Sequence, residues 1–496
     1  MGDPSVRWAT FKSGEKDFTR SHGVDRIDSV RESKNTLSDR TVFLAGSTAG
    51  FVLVVVMTKP RPNILFIWTD QQGSRAMSCA GNPHLRTPAM DWLSDGGIRF
   101  ERAYCTDPIC VPSRTSWLTG TMPHENGVTF NTDDHPVDRP PLAPLLRAAG
   151  YDTGYVGKWH IPRSADDREW HGFDHVRHAR PNGVDPDVPG AAIEFLRQER
   201  ANPFFLVAGF VNPHDICEWA RITAGMGGRL PNGPIPAAPA AEACPPLPGN
   251  FEIPRPEPSV IRDAQRLAPS LYPTVDWGED LWRQYLWAYY RLVEQVDTGI
   301  GQILSELQRS GQDRNTVILF SSDHGDGAAS HRWNQKTLFY EEVARVPFII
   351  RPPSCNLAGS VDTRNLVSMN LDFFPTVLDY AGLPIPEGLT GRSLRPVLEG
   401  QPGAKGHDFV VSEADLAPEY GVTGGVYGRM IRDARFKYGR FSTGTDREQL
   451  FDLEADPGET RNLAYEAEYA ARKQQCRDRL DQWMEERFDP FPGLEC

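Results

Sequence analysis

Apolar residues along the chain form short, nearly continuous runs that alternate with longer segments of helical periodicity. Continuous runs of about four to eight apolar residues are typical of strands buried on both faces of a sheet. Apolar residues that recur every three or four positions are typical of amphipathic helices. The runs predict strands at 63–68, 151–156, 203–210, 316–320 and 346–350, and the periodic segments predict helices at 113–118, 142–149, 191–200 and 279–309.

This alternation of strands and helices predicts an α/β fold with one large, mostly parallel sheet between layers of helices. After about residue 400 the strands become shorter and more alternating, at 409–411 and 435–440, and a helical segment follows at 464–484. We therefore expect a catalytic domain over 60–400 and a smaller C-terminal α+β subdomain over 401–496.

Composition narrows the classes of function. The formal net charge of the 496 residues is −13, which leaves no basic surplus to neutralise the phosphates of a nucleic acid partner. The eight cysteines form no Cys-x-x-Cys pair, so reduced thiols in a cytosolic protein are favoured over a disulfide framework or a zinc ribbon. A small anionic substrate remains compatible with the acidic total, because a local cluster of cations can still bind it.

A nucleophile stands at the predicted start of one short helix, in the sequence Cys-Val-Pro-Ser-Arg-Thr-Ser-Trp-Leu-Thr-Gly at 110–120. Pro112 suits the first turn of a helix, and Gly120 suits its end. Cys110 is therefore expected beside unpaired backbone N–H groups and the positive end of the helix dipole, which favour an anion. Arg114 lies one turn further on, where its guanidinium could reach the same anion.

The pattern Cys-x-Pro-Ser-Arg, followed by x-x-x-Leu-Thr-Gly, resembles the signature of the sulfatases of the alkaline phosphatase superfamily. Leu-Phe-Asp-Leu at 450–453 and Asp-Pro-Gly-Glu at 456–459 are similar to the closing motif of that family, so the resemblance covers about 60–465. It implies a sulfatase-like fold and oxidation of Cys110 to formylglycine by a formylglycine-generating enzyme. The hydrated aldehyde would supply the nucleophile, and Arg114 would be its supporting cation.

Two polar pairs directly follow predicted strands: Asp70-Gln71 and Asp323-His324. Helix capping explains either pair taken alone, but the resemblance assigns a divalent metal ion to all four residues together with the modified Cys110. The pairs depart from the commonest sulfatase pattern, which has Asp-Asp and Asp-Asn. Calcium is the usual ion of the family, whereas the imidazole nitrogen of His324 suits manganese, zinc or iron better.

Further cations complete the resemblance. Lys158 and His160 lie in a Gly-Lys-x-His element, His214 follows Asn-Pro, and Lys336 follows the second metal pair. The resemblance implies that the two lysines hold the sulfuryl oxygens, since fixed positive charge is usually the largest catalytic contribution. It also implies that His214, helped by Lys336, protonates the departing alcohol, and that His160 takes the proton of the second hydroxyl. Asn131 has two interpretations that stay open, contact with the substrate or capping of a turn.

These residues predict hydrolysis of sulfate esters, with a small-molecule or saccharide ester as substrate; sulfated sugars are favoured by analogy. The nearest alternative is a phosphonate monoester or phosphodiester hydrolase of the same superfamily, which has a similar Asp-Gln and Asp-His metal set. Those enzymes depart from the Gly-Lys-x-His element that this chain keeps at 157–160. A catalytically silent anion-binding protein would lack a ligand or a cation, and none is missing.

Two segments are expected to shape the substrate pocket, the run at 212–219 and the excursion rich in Pro, Gly and Ala at 225–258. Within or near them, Trp219 and Trp277 have two interpretations. Each could stack on a sugar ring, or each could belong to the hydrophobic core.

The region 1–57 stands apart from the rest. Residues 1–40 are polar, and the apolar run 41–57 is as long as a short membrane helix or the core of a signal peptide. A third interpretation is that translation starts at Met57 and that residues 1–56 are an artefact of a start site assigned too far upstream, because the sequence from Met57 onward resembles the beginning of a cytosolic sulfatase. We expect a cytoplasmic protein, with anchoring or export through 41–57 as the alternative.

Overall fold

The computed structural model describes residues 29–32, 40–47, 50–57 and 61–492, apart from 133–134, 138, 182–183 and 417–424. The chain divides into two compact units, Met1–Arg61 and Pro62–Cys496. The catalytic candidates all lie in the second unit.

The first unit contains a three-stranded antiparallel sheet. Its strands are β1 (Ser29–Glu32), β2 (Arg40–Ser47) and β3 (Gly50–Met57). The described residues of the apolar run 41–57 thus lie in the paired strands β2 and β3 rather than in a helix. Among the described residues, no helix has both the length and the apolar composition needed to cross a bilayer. The cellular location stays a prediction.

The second unit alternates strands and helices, as the sequence predicts. Its elements up to residue 398 are, in chain order, β4 (Asn63–Asp70), α1 (Pro88–Gly96), β5 (Ile98–Tyr104), α2 (Cys110–Thr119), α3 (Pro123–Asn126), α4 (Leu142–Ala148), β6 (Asp152–Gly157), α5 (Arg168–His171), β7 (His175–Arg177), α6 (Val188–Arg197), β8 (Phe204–Pro213), α7 (Ile216–Thr223), α8 (Ser259–Leu267), α9 (Glu279–Arg309), β9 (Thr316–Ser322), α10 (Glu341–Ala344), β10 (Phe348–Arg351), β11 (Ser360–Ser368), α11 (Met369–Tyr380) and α12 (Arg395–Leu398).

An eight-stranded sheet organises these elements in the order β11-β5-β10-β9-β4-β8-β6-β7. β4 lies between β8 and β9 and is parallel to both, and β6 continues the parallel arrangement. β10 alone is antiparallel to its neighbours β5 and β9. The predicted large, mostly parallel sheet is therefore confirmed.

Helices cover both faces of this sheet, and β4 shows why. Side chains of a strand alternate between the two faces. Leu65 and Ile67 belong to the hydrophobic core that includes α9, whereas Ile64, Phe66 and Trp68 belong to the core that includes α2 and α11. Because both faces are buried, the strand has the continuous apolar sequence from which it was predicted.

A smaller antiparallel sheet and a helix follow at the C-terminal end. They are β12 (Phe409–Asp415), β13 (Tyr427–Asp433), β14 (Phe436–Phe441), β15 (Glu448–Asp452) and α13 (Ala470–Glu486). The predicted C-terminal α+β subdomain is confirmed, while its boundary at residue 400 stays a prediction.

Several observed elements were not predicted from the sequence, and the ends of others differ from the prediction. β5 and β11 were missed because polar and charged residues interrupt their apolar positions, as in Ile-Arg-Phe-Glu-Arg-Ala-Tyr of β5. The predicted helix 191–200 begins and ends three residues earlier, as Val188–Arg197. The excursion 225–258 has no strand or α-helix, and its one short turn of 3₁₀ helix is Ala241–Ala243.

Gly157 is the last residue of β6 and directly precedes Lys158. Its backbone conformation allows a test of the close approach of β6 to β8. Its φ is +97°, and a Cβ atom there would lie 1.9 Å from the carbonyl oxygen of Gly209. We expect Gly157→Ala to lower the free energy of unfolding by more than about 2 kcal/mol, since both strain and a clash oppose it.

Gly150→Ala is the matched control for that measurement. Gly150 has a φ of +88°, but nothing lies within 4 Å of the position of a Cβ atom. Only the backbone strain of about 1 kcal/mol then applies. Equal losses in chemical denaturation of the two variants would contradict the proposed close approach of β6 and β8.

Candidate active site

Neighbouring parallel strands bring the predicted site residues to one edge of the sheet. Asp70 is the last residue of β4, and Asp323 directly follows β9. Lys158 follows β6, and His214 follows β8. Because parallel strands end at the same edge, these residues converge there, as ligands do in open α/β sheets.

Cys110 is the first residue of α2 and is fully buried. Its Sγ lies 3.1 Å from Nζ of Lys336, 3.3 Å from Nε2 of His324 and 3.7 Å from Oδ1 of Asp70. Burial, and then Asp70, oppose ionisation of the thiol, but Lys336, Lys158 and His324 hold the pKa of Cys110 well below its ordinary value. The sulfur therefore marks a point of strongly positive potential.

The helix that carries Cys110 spans Cys110–Thr119, so it begins three residues before the predicted run 113–118 and ends one residue after it, directly before the predicted Gly120. The side-chain oxygen of Asn131 accepts a hydrogen bond from the N–H of Val111 at 3.0 Å, which satisfies one donor of the first turn. Gly120 ends the helix with a φ of 70°. This hydrogen bond supports the capping interpretation of Asn131, and contact of Asn131 with the substrate stays a prediction.

Arg114 links the two carboxylates of the predicted metal set. Its Nη2 donates to Oδ2 of Asp70 at 2.9 Å and to Oδ2 of Asp323 at 3.0 Å, and its Nε donates to Asp323 at 3.1 Å. The guanidinium carbon lies 4.2 Å from the ring centre of the buried Trp68. Arg114 therefore supports the carboxylates, while its predicted contact with an anion at Cys110 stays a prediction.

The two carboxylates differ in their surroundings. Nζ of Lys158 lies 2.6 Å from Oδ2 of Asp70. Burial would raise the pKa of Asp70, but Lys158, His214 and Arg114 together hold it well below its ordinary value. Burial, followed by the charge of Asp70, raises the pKa of Asp323 to about 7 although Arg114 and His324 oppose this.

The predicted metal ligands fit a divalent cation. Ligand atoms of Asp70, Cys110, Asp323 and His324 all lie within 4.8 Å of one another, and all four residues are buried. Nδ1 of His324 donates to the carbonyl of Gly325 at 2.8 Å, so the lone pair of Nε2 is the one available to a metal. Two carboxylates and an imidazole suit manganese or zinc as well as calcium, and the identity of the ion stays a prediction.

Gln71 contributes through both its backbone and its side chain. Its backbone N–H donates to Oδ1 of Asp323 at 3.1 Å, with a φ of 70°. Its Nε2 donates to Oδ2 of Asp326 at 2.7 Å. An amide nitrogen has no lone pair for a cation, so Oε1 is the atom of Gln71 that could serve as a ligand.

The predicted cations and histidines surround the same sulfur. Nζ of Lys336 lies 3.4 Å from Nε2 of His214, and both His214 and His160 interact with Cys110. Burial, then Lys158 and Lys336, lower the pKa of His214 to about 4. Burial, followed by Lys158, also lowers the pKa of His160. Both imidazoles are thus set to be neutral near pH 7, and Lys336 is the cation in contact with His214.

Sequence reasoning missed several supporting residues. Oγ of Ser113 donates to the carbonyl of Asp323 at 2.7 Å, and Nδ2 of Asn370 donates to Oγ of Ser113 at 2.8 Å. These contacts give the Ser of Cys-x-Pro-Ser-Arg a structural role. Asn370 belongs to α11, more than 250 positions away in the chain, so no local pattern indicates the contact.

The segment that carries Lys336 follows an unusual backbone path. Six of its non-glycine residues have positive φ: Ala328, Ala329, His331, Arg332, Gln335 and Thr337. Each such residue costs roughly 1 kcal/mol for an L-amino acid, so contacts elsewhere must hold the path. The N–H of Gly327 donates to the carbonyl of Gln335 at 3.0 Å, and the N–H of Thr337 donates to that of Pro108 at 2.9 Å.

The tryptophans considered as sugar-stacking platforms pack with other aromatic rings. The ring centres of Trp219 and Trp277 lie 6.2 Å apart, and Trp277 lies 5.9 Å from Trp282. Trp277 is only 9% exposed and belongs to the core around α9. These contacts favour the core interpretation.

A buried cysteine beside carboxylates that could hold a cation, with lysines at the carboxyl edge of a mostly parallel sheet, is the arrangement expected of an ester hydrolase of the alkaline phosphatase type. The model of the Sulfatase family matches residues 62–383. A second family model, "N-sulphoglucosamine sulphohydrolase, C-terminal", matches residues 329–486. The chain belongs to the sulfatase family.

Characterised relatives cover nearly the whole chain. The Delta 4,5-hexuronate-2-O-sulfatase of Bacteroides thetaiotaomicron is 31% identical over 460 residues, which are 88% of this chain and 91% of the relative. The N-acetylglucosamine-6-O-sulfatase of the same organism is 32% identical and covers 87% of this chain and 88% of the relative.

Solved structures agree with these relatives. A 2-O glycosaminoglycan sulfatase has a TM-score of 0.75 at 30% identity and covers 86% of this chain and 93% of its own. A protein in complex with its substrate D-glucosamine-2-N,6-O-disulfate has a TM-score of 0.68 at 30% identity, with 88% of this chain and 100% of its own covered. The phosphonate monoester hydrolase of Agrobacterium radiobacter is 24% identical with a TM-score of 0.66, which shows a common fold alone.

Removal of Arg114 tests the energetic role of its two carboxylate contacts. We expect Arg114→Met to lower the free energy of unfolding of the metal-free protein by about 3–5 kcal/mol at a pH where both carboxylates are charged, because it leaves two buried anions unpaired. Denaturant titration measures this loss.

Arg395→Met is the control, since Arg395 pairs with Asp379 and Glu399 through a side chain that is 38% exposed. A partly exposed pair contributes about 1 kcal/mol or less. A comparable loss in both variants would contradict the role assigned to Arg114.

Metal binding is expected to release a proton. With the pKa of Asp323 raised to about 7, this carboxyl is largely protonated below that pH, and a cation that binds there must displace the proton. Affinity for Mn²⁺ should therefore fall as the pH drops below about 7. Calorimetry in buffers of different ionisation enthalpy measures the protons released; equal release at acidic and alkaline pH would contradict this assignment.

Proposed function

We propose that the protein hydrolyses sulfate esters of saccharides with a formylglycine derived from Cys110 and a divalent metal ion. The observation that carries the proposal is the position of Cys110, whose sulfur lies within 3.3 Å of both Lys336 and His324 and within 3.7 Å of Asp70. The similarity to sulfatases that act on sulfated sugars, over most of both chains, supports the choice of substrate class.

The metal and the modified residue would meet at one point. Asp70, Gln71, Asp323 and His324 would hold the cation next to residue 110. When bound, the cation supplies positive charge that lowers the pKa of a hydroxyl and offsets the charge of the ester oxygens. The hydrated aldehyde supplies the attacking hydroxyl, and its formation requires a formylglycine-generating enzyme as a partner during maturation.

The lysines hold the anionic group of the substrate. Lys158 and Lys336 are buried, with exposures of 0% and 5%, so their charges act in a medium of low polarity. Lys158 also interacts with Asp70, which fixes its position. Sulfuryl oxygens near residue 110 would therefore meet two positioned ammonium groups.

The Lys336–His214 pair handles the proton of the leaving group. Lys336 donates toward Nε2 of a histidine whose pKa is lowered to about 4, so the proton resides on the lysine in the resting site. His214 can relay this proton to the departing alcohol oxygen. His160, also neutral near pH 7, is the base that accepts a proton from the second hydroxyl of residue 110.

A phosphonate monoester or phosphodiester hydrolase is the second candidate, on account of the Asp-Gln and Asp-His pairs. The Gly-Lys-x-His element at 157–160 favours the sulfatase, since Lys158 makes a 2.6 Å contact with Asp70 inside the site. Both classes share the nucleophile, so a comparison of substrates decides between them.

A comparison of substrates tests the proposal. Protein produced with a formylglycine-generating system should release sulfate from sulfated mono- and disaccharides of uronic acid and glucosamine. Its kcat/KM for a phosphonate monoester with the same leaving group as an aryl sulfate should be lower by at least about tenfold. The opposite preference would assign the chain to the second candidate.

Variants of the proton-handling pair sharpen this test. Lys336→Met should lower kcat by about 10²–10⁴-fold, because it removes both the positive charge and the proton source. The loss should be smaller for esters of acidic alcohols, which need no protonation. Equal losses for aryl and sugar esters would contradict the role in protonation.

A further inference from the structure

Asp326 is a buried carboxylate that no part of the proposed chemistry uses. It is 1% exposed and lies two positions after His324. All of its hydrogen-bond donors are neutral. They are Nε2 of Gln71 at 2.7 Å, the hydroxyl of Tyr285 at 2.9 Å, and the backbone N–H groups of Ala328 at 2.7 Å and Gln335 at 3.1 Å.

These donors come from two different parts of the site. Gln71 belongs to the first metal pair, whereas Ala328 and Gln335 belong to the segment with positive φ that carries Lys336. Gln335 directly precedes the lysine. One carboxylate thus joins the metal pair to the backbone that positions the lysine.

The contact also explains why residue 71 is an amide. A side-chain amide can donate through Nε2 to Asp326 and still keep Oε1 as a ligand atom. A carboxylate at residue 71 would offer only acceptors to Asp326, and two like charges in a buried site repel strongly. Gln71 and Asp326 are therefore a matched donor and acceptor.

We infer that Asp326 is a positioning residue that orients the amide of Gln71 toward the metal and fixes the segment that carries Lys336. The inference rests on the proposed function for the identity of the site. It goes beyond that function because it couples the metal pair to the Lys336 segment through a residue outside the proposed set of ligands. Tyr285, on α9, completes the set of donors to the carboxylate.

A double-mutant cycle on the full chain tests the coupling. Gln71→Glu and Asp326→Asn are both nearly isosteric, and together they conserve the net charge while reversing the polarity of the contact. We expect each single variant to weaken Mn²⁺ binding, measured by calorimetry, by about tenfold or more, and the double variant to return to within about threefold of the unchanged chain. Additive losses of about a hundredfold would overturn the coupling.

Hydrogen exchange tests the second half of the inference. Asp326→Asn keeps one acceptor oxygen but replaces the other by an amide group that cannot accept, so at least one of the amides of Ala328 and Gln335 should exchange at least about tenfold faster. Unchanged exchange at these two positions would overturn the assignment of Asp326 to the Lys336 segment.

Two controls separate positioning from general stability. Asp297→Asn changes another buried carboxylate, which accepts backbone N–H groups of Ala89 and Met90 at 3.1 and 2.9 Å in α1. It should alter neither Mn²⁺ affinity nor exchange at residues 328 and 335. Tyr285→Phe removes one donor but keeps Gln71 and Gln335 in contact, and should change Mn²⁺ affinity less than threefold; a loss equal to that of Asp326→Asn would overturn the inference.

Neither readout needs turnover. If the unchanged chain failed to hydrolyse sulfate esters, the proposed function would be wrong, but the double-mutant cycle on Mn²⁺ affinity and the exchange data would still test the role of Asp326. If it hydrolysed them and the cycle were additive, the positioning role alone would fall.

Discussion

The active site depends on one buried ion cluster in which Arg114 joins Asp70 to Asp323. All three side chains have zero solvent exposure, so the desolvation cost of each charge must be met by its partners. Arg114 meets it with planar, multiply hydrogen-bonded contacts, and Trp68 stacks against the guanidinium. Since Asp70 ends β4 and Asp323 follows β9, this cluster also ties together the two strands that define the carboxyl edge.

The charges around residue 110 suit an anionic ester whose negative charge moves onto the leaving oxygen during hydrolysis. Arg114, Lys158 and Lys336 are positive, and Asp70 and Asp323 are their acidic counterparts. An ionised Cys110 would balance this set. Replacement of that thiolate by a neutral group, together with a divalent cation, would leave an excess of positive charge at the reacting centre. Such an excess suits a sulfate ester, whose leaving oxygen gains negative charge.

Much of this architecture could be predicted from sequence because buried parallel strands have a simple signature. The strands 63–68 and 316–320 were evident as apolar runs, and the polar residues that follow them lie together at the carboxyl edge of the sheet. The bounds of α9, Glu279–Arg309, equal the prediction because its apolar face repeats regularly over eight turns. β5 and β11 mix apolar with polar and charged residues, so their sequences show neither the period of a strand nor that of a helix.

The supporting contacts could not be predicted because they join distant parts of the chain. Asn370 supports Ser113 across 257 positions, and Gln71 meets Asp326 across 255. The left-handed backbone of residues such as Ala328 and Thr337 has no local signal either, since neither alanine nor threonine prefers it. The apolar run 41–57 illustrates a different ambiguity, because a continuous apolar sequence is compatible with a helix and with the two strands observed.

The most direct test of the account is the mass of the tryptic peptide 103–114, taken from protein produced with a formylglycine-generating system. The peptide contains both Cys105 and Cys110, so fragmentation compares the two thiols in one molecule. We expect an aldehyde in place of the thiol at residue 110 and an unchanged cysteine at residue 105. An unmodified Cys110, in a host that converts a control sulfatase, would contradict the formylglycine mechanism and leave the surrounding cations as an anion-binding site without turnover.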